Sequence, residues 1–287
     1  MKFNTIRTVL GGSPLYRRKY ILLTILIIVA IALMMWITTV WMIGRRTSTL
    51  EAFGKEDVRN IPIVIICWNN YYFVKNMVSQ LKKYSHPIII LDNKSNYSKL
   101  LDYYKELEDD DQIEVRLLDQ NYGHKVYQQL QSTLPDVYIL SDPDLELNAN
   151  MPQDFCRVLL AVSNKYESYK VGLALDISDN NKFIECDDYT NGKNIYEWES
   201  QFWKRKITDS SVDHELYYAD VDTTFCLINN KHLSKGGDNN IRIAGDFTAK
   251  HLPWYKDYIK TRVSAEEIEH WKSNNKSSSI LFTCLKL

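Results

Sequence analysis

Hydrophobic positions along this chain follow two different rhythms. From Ile21 to Gly44 no residue is charged, and Thr24, Thr38 and Thr39 are the only clearly polar side chains. As a helix rising about 1.5 Å per residue the run reaches about 36 Å, enough to cross a hydrocarbon core of about 30 Å. A cleaved signal peptide is the rival reading, with Ala30-Ile31-Ala32 as a small-x-small site. Cleavage there would leave Met34-Met35-Trp36 and further apolar sequence exposed, and signal cores normally span about 7–15 residues. The run is therefore expected to be a transmembrane anchor over residues 21–44, following a tail over residues 1–20.

Beyond a polar stem over residues 45–60 the rhythm changes. Short apolar runs at Ile61–Cys67, Pro87–Leu91, Ile113–Leu118, Val137–Leu140 and Val171–Leu175 predict strands. Between them Phe73, Val74, Met77, Val78 and Leu81 recur at helical spacing, as do Leu100, Leu101, Tyr104 and Leu107, and then Phe155, Val158, Leu159 and Val162. Strand and helix alternating in this way predict an α/β domain over residues 61–260, with a mainly parallel sheet and helices on both faces. Ser178 to Ser211 is polar and aromatic without a period, as expected of a long loop region, and residues 261–287 read as a C-terminal tail with a polar stretch at Ser273–Ser279.

Charge and cysteine usage narrow the classes. Among 287 residues the formal net charge is −1, with Lys and Arg scattered, so nucleic acid is not an expected partner. Five cysteines show no Cys-x-x-Cys spacing; Cys67 and Cys226 lie in apolar runs that suit buried thiols, and Cys186 and Cys284 are the least obviously buried pair. No disulfide is required by the sequence. The basic residues Lys2, Arg7, Arg17, Arg18 and Lys19 precede the apolar run with no acid among them, which favours a cytoplasmic tail and a domain on the far side of the membrane.

Candidate chemistry concentrates where Val137–Leu140 runs into Ser141-Asp142-Pro143-Asp144. Proline breaks the strand and leaves two carboxylates at its carboxyl end, the edge at which open α/β sheets bind ligands. Paired Asp oxygens suit a hard divalent cation. Asp-x-Asp recurs at Asp109-Asp110-Asp111 and Asp220-Val221-Asp222, but only Asp142 and Asp144 follow a buried-looking strand in the middle of the β-α repeat.

The order of motifs resembles that of glycosyltransferases of the GT-A fold, most closely the family-2-like nucleotide-diphospho-sugar transferases. The resemblance rests on Ile63–Cys67 followed by Trp68-Asn69-Asn70, on Leu91-Asp92-Asn93, on Asn121-Tyr122-Gly123-His124 and on Ser141–Asp144, and it covers roughly Ile61 to Tyr255. It implies that Asn69, Asp92, Asn93, Asn121, Gly123 and His124 line a nucleotide site together with Asp142. It also implies that Asp142, Asp144 and the late His251 hold a metal, Mn²⁺ ahead of Mg²⁺ for a mixed carboxylate and imidazole shell. Trp198–Trp203 sits where the acceptor region of such enzymes lies.

The implied reaction moves a sugar from a nucleotide-diphosphate donor, expected to be UDP-linked, to a hydroxyl of a glycan, protein or lipid. Asp222, Asp220 and Glu199 are the candidates for general base, and the stereochemical outcome stays open. The expected setting is a single-pass type II membrane protein with its domain in the Golgi or endoplasmic reticulum lumen, or outside the cytoplasm. Sequons at Asn93, Asn96 and Asn275 could then carry glycans, Asn275 being the least obstructed if Asn93 lines a pocket. Two rivals remain. Tyr217-Tyr218-Ala219-Asp220-Val221-Asp222-Thr223-Thr224 resembles the nucleophile motif of haloacid-dehalogenase-like phosphohydrolases, and a membrane-tethered carbohydrate-binding module could share the fold without turnover.

Overall fold

The computed structural model describes residues 14–52, 58–235, 237–274 and 284, with side chains described for 21–40 and for the stretches from residue 58 onward. The chain divides into two compact units, Met1–Ala52 and Phe53–Leu287. The first contains α1 (Pro14–Ala52). Within it Ile21–Val40 has a mean hydropathy of 2.9 with no residue buried, long and apolar enough to cross a membrane. The helix continues past residue 44 to Ala52, so the first part of the expected stem is helical; residues 53–57 lie outside the described ones.

The second unit is an α/β domain. In chain order it runs β1 (Ile63–Cys67), α2 (Tyr71–Leu81), β2 (Ile88–Asp92), α3 (Ser98–Glu106), β3 (Ile113–Leu117), α4 (Val126–Gln129), β4 (Val137–Ser141), β5 (Leu145–Leu147), α5 (Phe155–Tyr166) and β6 (Lys170–Leu175). It ends with α6 (Ile195–Ser200), β7 (Lys206–Ile207), β8 (Leu216–Tyr218), β9 (Cys226–Asn229), β10 (Ile241–His251), α7 (Tyr258–Arg262) and α8 (Ala265–Asn274). The sheet order is β3-β2-β1-β4-β9-β6-β10-β8-β7, with β5 added to β10. Pairing is parallel from β3 through β4 and again between β6 and β10. β9 enters antiparallel between β4 and β6, and β5, β7 and β8 are antiparallel additions.

The sequence rhythm explains the layers. Alternate residues of β1 face opposite sides: Ile63, Ile65 and Cys67 join the main core beneath α2, α3 and α5, whereas Val64 and Ile66 join a smaller core with Val126, Tyr127 and Leu134. Both faces of the central strands are covered, which is why those strands read as continuous apolar runs.

The expected tail does not begin at residue 261. α7 and α8 pack on the domain, and α8 grips the loops that follow β1 and β2. Trp271 stacks on Phe73 with ring centroids 6.0 Å apart, and its indole N–H donates to the Asn69 carbonyl at 2.7 Å. Glu267, buried on the same helix, accepts from the Tyr72 amide at 3.1 Å, one of the amides that a helix start leaves unpaired. Further along, Cys284 forms a disulfide with Cys186, with Cα atoms 5.1 Å apart. The pairing left unassigned by sequence thus ties the C-terminal segment to the Ser178–Ser211 region. Cys67, Cys156 and Cys226 are free and buried, and Asn275 lies outside the described residues.

Truncating Trp271 to Ala removes a fully packed indole and orphans the Asn69 carbonyl, so the detergent-solubilised chain should lose about 3–5 kcal/mol of stability by urea titration. A loss below about 1 kcal/mol would mean that α8 contributes little to holding the domain.

Candidate active site

β4 ends at Ser141, and Pro143 prevents it from continuing, so the chain turns through Asp142-Pro143-Asp144 into β5. The turn is gripped from two sides. The Asp142 amide donates to the Thr223 carbonyl at 2.9 Å and the Thr223 hydroxyl donates to Asp142 Oδ2 at 2.6 Å. On the other side the Leu252 amide donates to the Asp144 carbonyl at 2.9 Å. Pairing of Leu145 with His251 places the imidazole Nε2 3.5 Å from Asp144 Oδ2. Asp144 Oδ1 and His251 Nδ1 are buried without a hydrogen-bond partner.

Electrostatics single out this turn. Burial, and then the neighbouring Asp144 charge, push the Asp142 carboxyl up to about 7, with the Thr223 hydroxyl pulling the other way. Burial pushes Asp144 up to about 6. It also drives His251 down to about 4 despite the attraction of Asp142 and Asp222, so the imidazole is neutral at pH 7.

Asp142 and His251 line a cleft of about 430 Å³ that also takes in Asp220, Asp222, Glu199 and Arg242, with Asp144 behind them. Tyr189, Trp198, Phe202 and Trp254 supply its aromatic walls. Arg242 is buried on β10: its Nε donates to the Asp220 carbonyl at 2.7 Å, its Nη1 pairs with Glu199, and its guanidinium carbon lies 4.2 Å from the Phe202 ring centroid. The expectation of a free base at Glu199 is corrected by this pairing. Glu199 is 2% exposed and serves as the counter-ion of Arg242; burial pushes it up to about 7 while Arg242 opposes the rise. Asp220 and Asp222 are exposed in the cleft.

Residues expected around a nucleotide fall into a different pattern. Asp92 is 0% exposed, and both its oxygens are committed, Oδ1 to the Ser95 amide at 2.6 Å and Oδ2 to the Tyr104 hydroxyl at 2.7 Å. Asn93 is buried as well: its Oδ1 accepts from the Tyr122 amide and its Nδ2 donates to the Gly123 carbonyl. Asn69 accepts from the amides of Asn96 and Tyr97. These three side chains hold loops in place, and as placed Asp92 and Asn93 offer nothing to a ligand. Burial of Asn93 also leaves Asn96, which is exposed, as the open sequon of the two. Asn121, Gly123 and His124 are exposed on the loop after β3, where Gly123 adopts φ +74° and Asn121 Oδ1 accepts from its amide; none of the three lines the cleft with Asp142.

Among the described residues no group of three or more His, Cys, Asp or Glu stands ready to hold a metal ion. Asp142, Asp144 and His251 are brought together without forming such a group, and Asp142 Oδ2 accepts from the Thr223 hydroxyl. Their chemistry nevertheless fits a divalent cation. Two desolvated carboxylates, one with a partnerless buried oxygen, face a neutral imidazole and the further carboxylate Asp222, and buried negative charge calls for a compensating cation. The phosphohydrolase alternative loses its structural premise. Asp220 and Asp222 follow β8, a three-residue antiparallel strand, rather than a central parallel strand.

No family model and no curated protein sequence matches the chain. Solved structures with similar folds include the mannosyltransferase PcManGT from Pyrobaculum calidifontis in complex with GDP-Man and Mn²⁺, at 9% identity and a TM-score of 0.44 over 77% of this chain and 66% of that one. Another is GalNAc-T7 with UDP, GalNAc and Mn²⁺, at 14% identity and a TM-score of 0.45 over 78% of this chain and 52% of that one. The chain thus spans between about half and two thirds of the length of these proteins. At such identities and TM-scores the likeness transfers no activity.

Asp142 and Asp144 shape the pH dependence of the metal-free protein. Folded, they keep their protons up to about 7 and about 6, whereas unfolded aspartates titrate near about 3.9. Between those values these two carboxyls bind more protons in the folded chain, so their contribution to stability is greatest at the acid end and falls as pH rises from about 4 to about 7, opposed in part by His251, which stays neutral when folded and charges when unfolded. Urea titrations in the presence of a chelator should show that fall, and Asp142→Asn should flatten it. An unchanged slope in Asp142→Asn would reassign the effect to Glu199 or to Glu267, which burial also pushes up to about 7.

Proposed function

We propose that the chain transfers a sugar from a nucleotide-diphosphate donor, UDP-linked in our reading, to a hydroxyl of a glycan, protein or lipid acceptor. The observation that carries this reading is the pair of desolvated carboxylates, Asp142 and Asp144, that follow the carboxyl end of β4, with Asp142 lining an aromatic-walled cleft. A diphosphate would be repelled by Asp142, Asp144 and Asp222 unless a cation lay between them. Asp142 and Asp144 would hold that ion, Mn²⁺ or Mg²⁺, with the neutral imidazole of His251 as a further donor. When bound, the ion supplies positive charge against the negative charge that develops on the departing diphosphate.

The chain's own residues account for the remaining steps. Asp220 or Asp222, exposed in the cleft, takes the proton from the acceptor hydroxyl. Trp198, Phe202 and Tyr189 offer flat apolar faces to a sugar ring. Arg242, tied to Glu199 and to the Asp220 carbonyl, keeps the base-bearing loop at a fixed distance from the wall. Anchoring by Ile21–Val40 with the basic tail in the cytoplasm would put the domain in the Golgi or endoplasmic reticulum lumen, or otherwise outside the cytoplasm. The Cys186–Cys284 disulfide supports that side, since disulfides persist in oxidising compartments.

Two experiments test the reading. Replacing Asp144 with Ala should lower metal-dependent hydrolysis or transfer of UDP-sugars by about 100-fold or more with the fold intact by circular dichroism, because most of the transition-state charge stabilisation goes with it. Asp110→Ala, which removes the partner of Lys82 and an acceptor for the Gln112 amide away from the cleft, should match the parent chain. Full metal-dependent turnover in folded Asp144→Ala would sink the assignment, and binding of sugar without turnover by the parent chain would favour the carbohydrate-binding module. In sealed vesicles the domain should resist protease added from the cytoplasmic side, and its digestion would reverse the topology.

A further inference from the structure

The loop Ala219–Thr223 carries both exposed carboxylates of the cleft, yet it has no regular secondary structure of its own. Three successive backbone carbonyls in it are held by two buried cations. Arg242 Nε donates to the Asp220 carbonyl at 2.7 Å, and Lys170 Nζ donates to those of Val221 at 3.1 Å and Asp222 at 3.2 Å. Lys170 is the first residue of β6, is 8% exposed, and does not line the cleft; its ammonium lies 5.3 Å from the Tyr127 ring centroid. A lysine buried this deeply in a strand is uncommon, and here its protons go to main-chain oxygens instead of a carboxylate.

The seat under the loop is shaped for it as well. Val221 packs so closely over Gly172 that a Cβ there would lie 2.6 Å from Val221 Cγ1. On the far side Thr223 is bonded to Asp142 through both its carbonyl and its hydroxyl. Lys170 therefore connects through one short, pinned stretch to the Asp142 turn.

The geometry points to Lys170 as a positioning residue. From behind the sheet its ammonium, with Gly172 as the seat for Val221, fixes the Asp220–Asp222 backbone so that both carboxylates face the cleft and Thr223 stays registered on Asp142. The functional consequence rests on the glycosyl-transfer reading above; the positional one does not. Substituting Lys170→Met removes the ammonium and its two hydrogen bonds to the loop while keeping the stem, Lys170→Arg restores donors on a similar stem, and Gly172→Ala displaces Val221, with a lesser push on Cys226, without touching any charge.

Hydrogen exchange on the detergent-solubilised full chain decides the positional claim. In Lys170→Met the amides of Ala219 and Asp142, bonded to the Asn240 and Thr223 carbonyls, should exchange about 10-fold faster or more. Val171→Ala, which opens the core on the other face of β6, serves as the control for general destabilisation and should leave those two amides close to the parent rates relative to the rest of the sheet. Gly172→Ala should reproduce the loop-specific change, and it stands in if Lys170→Met does not fold. In the UDP-sugar assay Lys170→Met should lower kcat by about 10-fold with KM within about twofold, and Lys170→Arg should recover part of the loss. Unchanged exchange at Ala219 and Asp142 in both Lys170→Met and Gly172→Ala, or an equal change in Val171→Ala, overturns the assignment. A parent chain without metal-dependent turnover overturns the glycosyl-transfer reading instead, and the exchange data still decide the role of Lys170.

Discussion

Desolvating the carboxylates of Asp142 and Asp144 beside one another is the constraint around which the domain is arranged. Removing two acids from water and placing them in one turn raises both pKa values and costs free energy that the surrounding packing must offset. Three separate segments meet to hold them: the end of β4, the loop before β9 and the end of β10. Antiparallel insertion of β9 beside β4 is what makes this possible. A parallel neighbour would bring its own carboxyl end to Asp142, whereas antiparallel β9 brings the segment that enters it, and with that segment Thr223 and the two exposed carboxylates.

β10 supplies the other walls because it is broken. Its register against β6 jumps between Ile243 and Thr248, where Gly245 adopts φ +72° in open space. Before the break Arg242 pairs with Glu199; after it His251 lies opposite Leu145 and next to Asp144. An unbroken strand would pair with β6 in one register throughout and could not serve both β8 and β5. Only glycine takes a positive φ there without strain, so the break is written into the sequence at a single position.

Period and turn chemistry carried much of the fold in the sequence. The five strands from β1 to β4 and β6 lie within a residue or two of their apolar runs, and α2, α3 and α5 follow the helical spacing of Phe73, Leu100 and Phe155. Both faces of β1, β2, β4 and β6 are largely buried, so those runs are dense, whereas the edge strand β3 is broken by Glu114 and Arg116 and leaves Leu117 exposed. The second half of the sheet was not legible in that way, because β5, β7, β8 and β9 have only two to four residues, too short for a period to register. Near the cleft, the turn that carries Asp142 and Asp144 was legible because proline ends a buried strand between them. Asp92 and Asn93 misled because an acid at a strand end serves a loop as readily as a ligand, and only the committed Ser95, Tyr104, Tyr122 and Gly123 partners tell the two apart. Arg242 carried a signal that went unread: a cation between Ile241 and Ile243, in an apolar stretch, must have a buried partner.

That partner is Glu199, and a buried ion pair of this kind is a poor source of stability, since desolvation offsets most of the attraction. Its effect is better understood as geometry. Phe202 stacks on the guanidinium, Glu199 binds it from α6, and the Asp220 carbonyl binds it from the loop, so one planar cation sets three walls of the cleft relative to one another. The segment before α6 is tied by the Ile184 amide to the Trp254 carbonyl and by Cys186 to Cys284, while after α6 Trp203 packs on Tyr217 just ahead of β7. Each of those ties holds the segment at one point, whereas the Arg242 fork fixes distance and orientation together. The cleft is therefore preorganised by charge on its far wall and by backbone clamps on its near one, and a ligand entering between Asp222 and Phe202 meets walls whose ordering cost was met during folding.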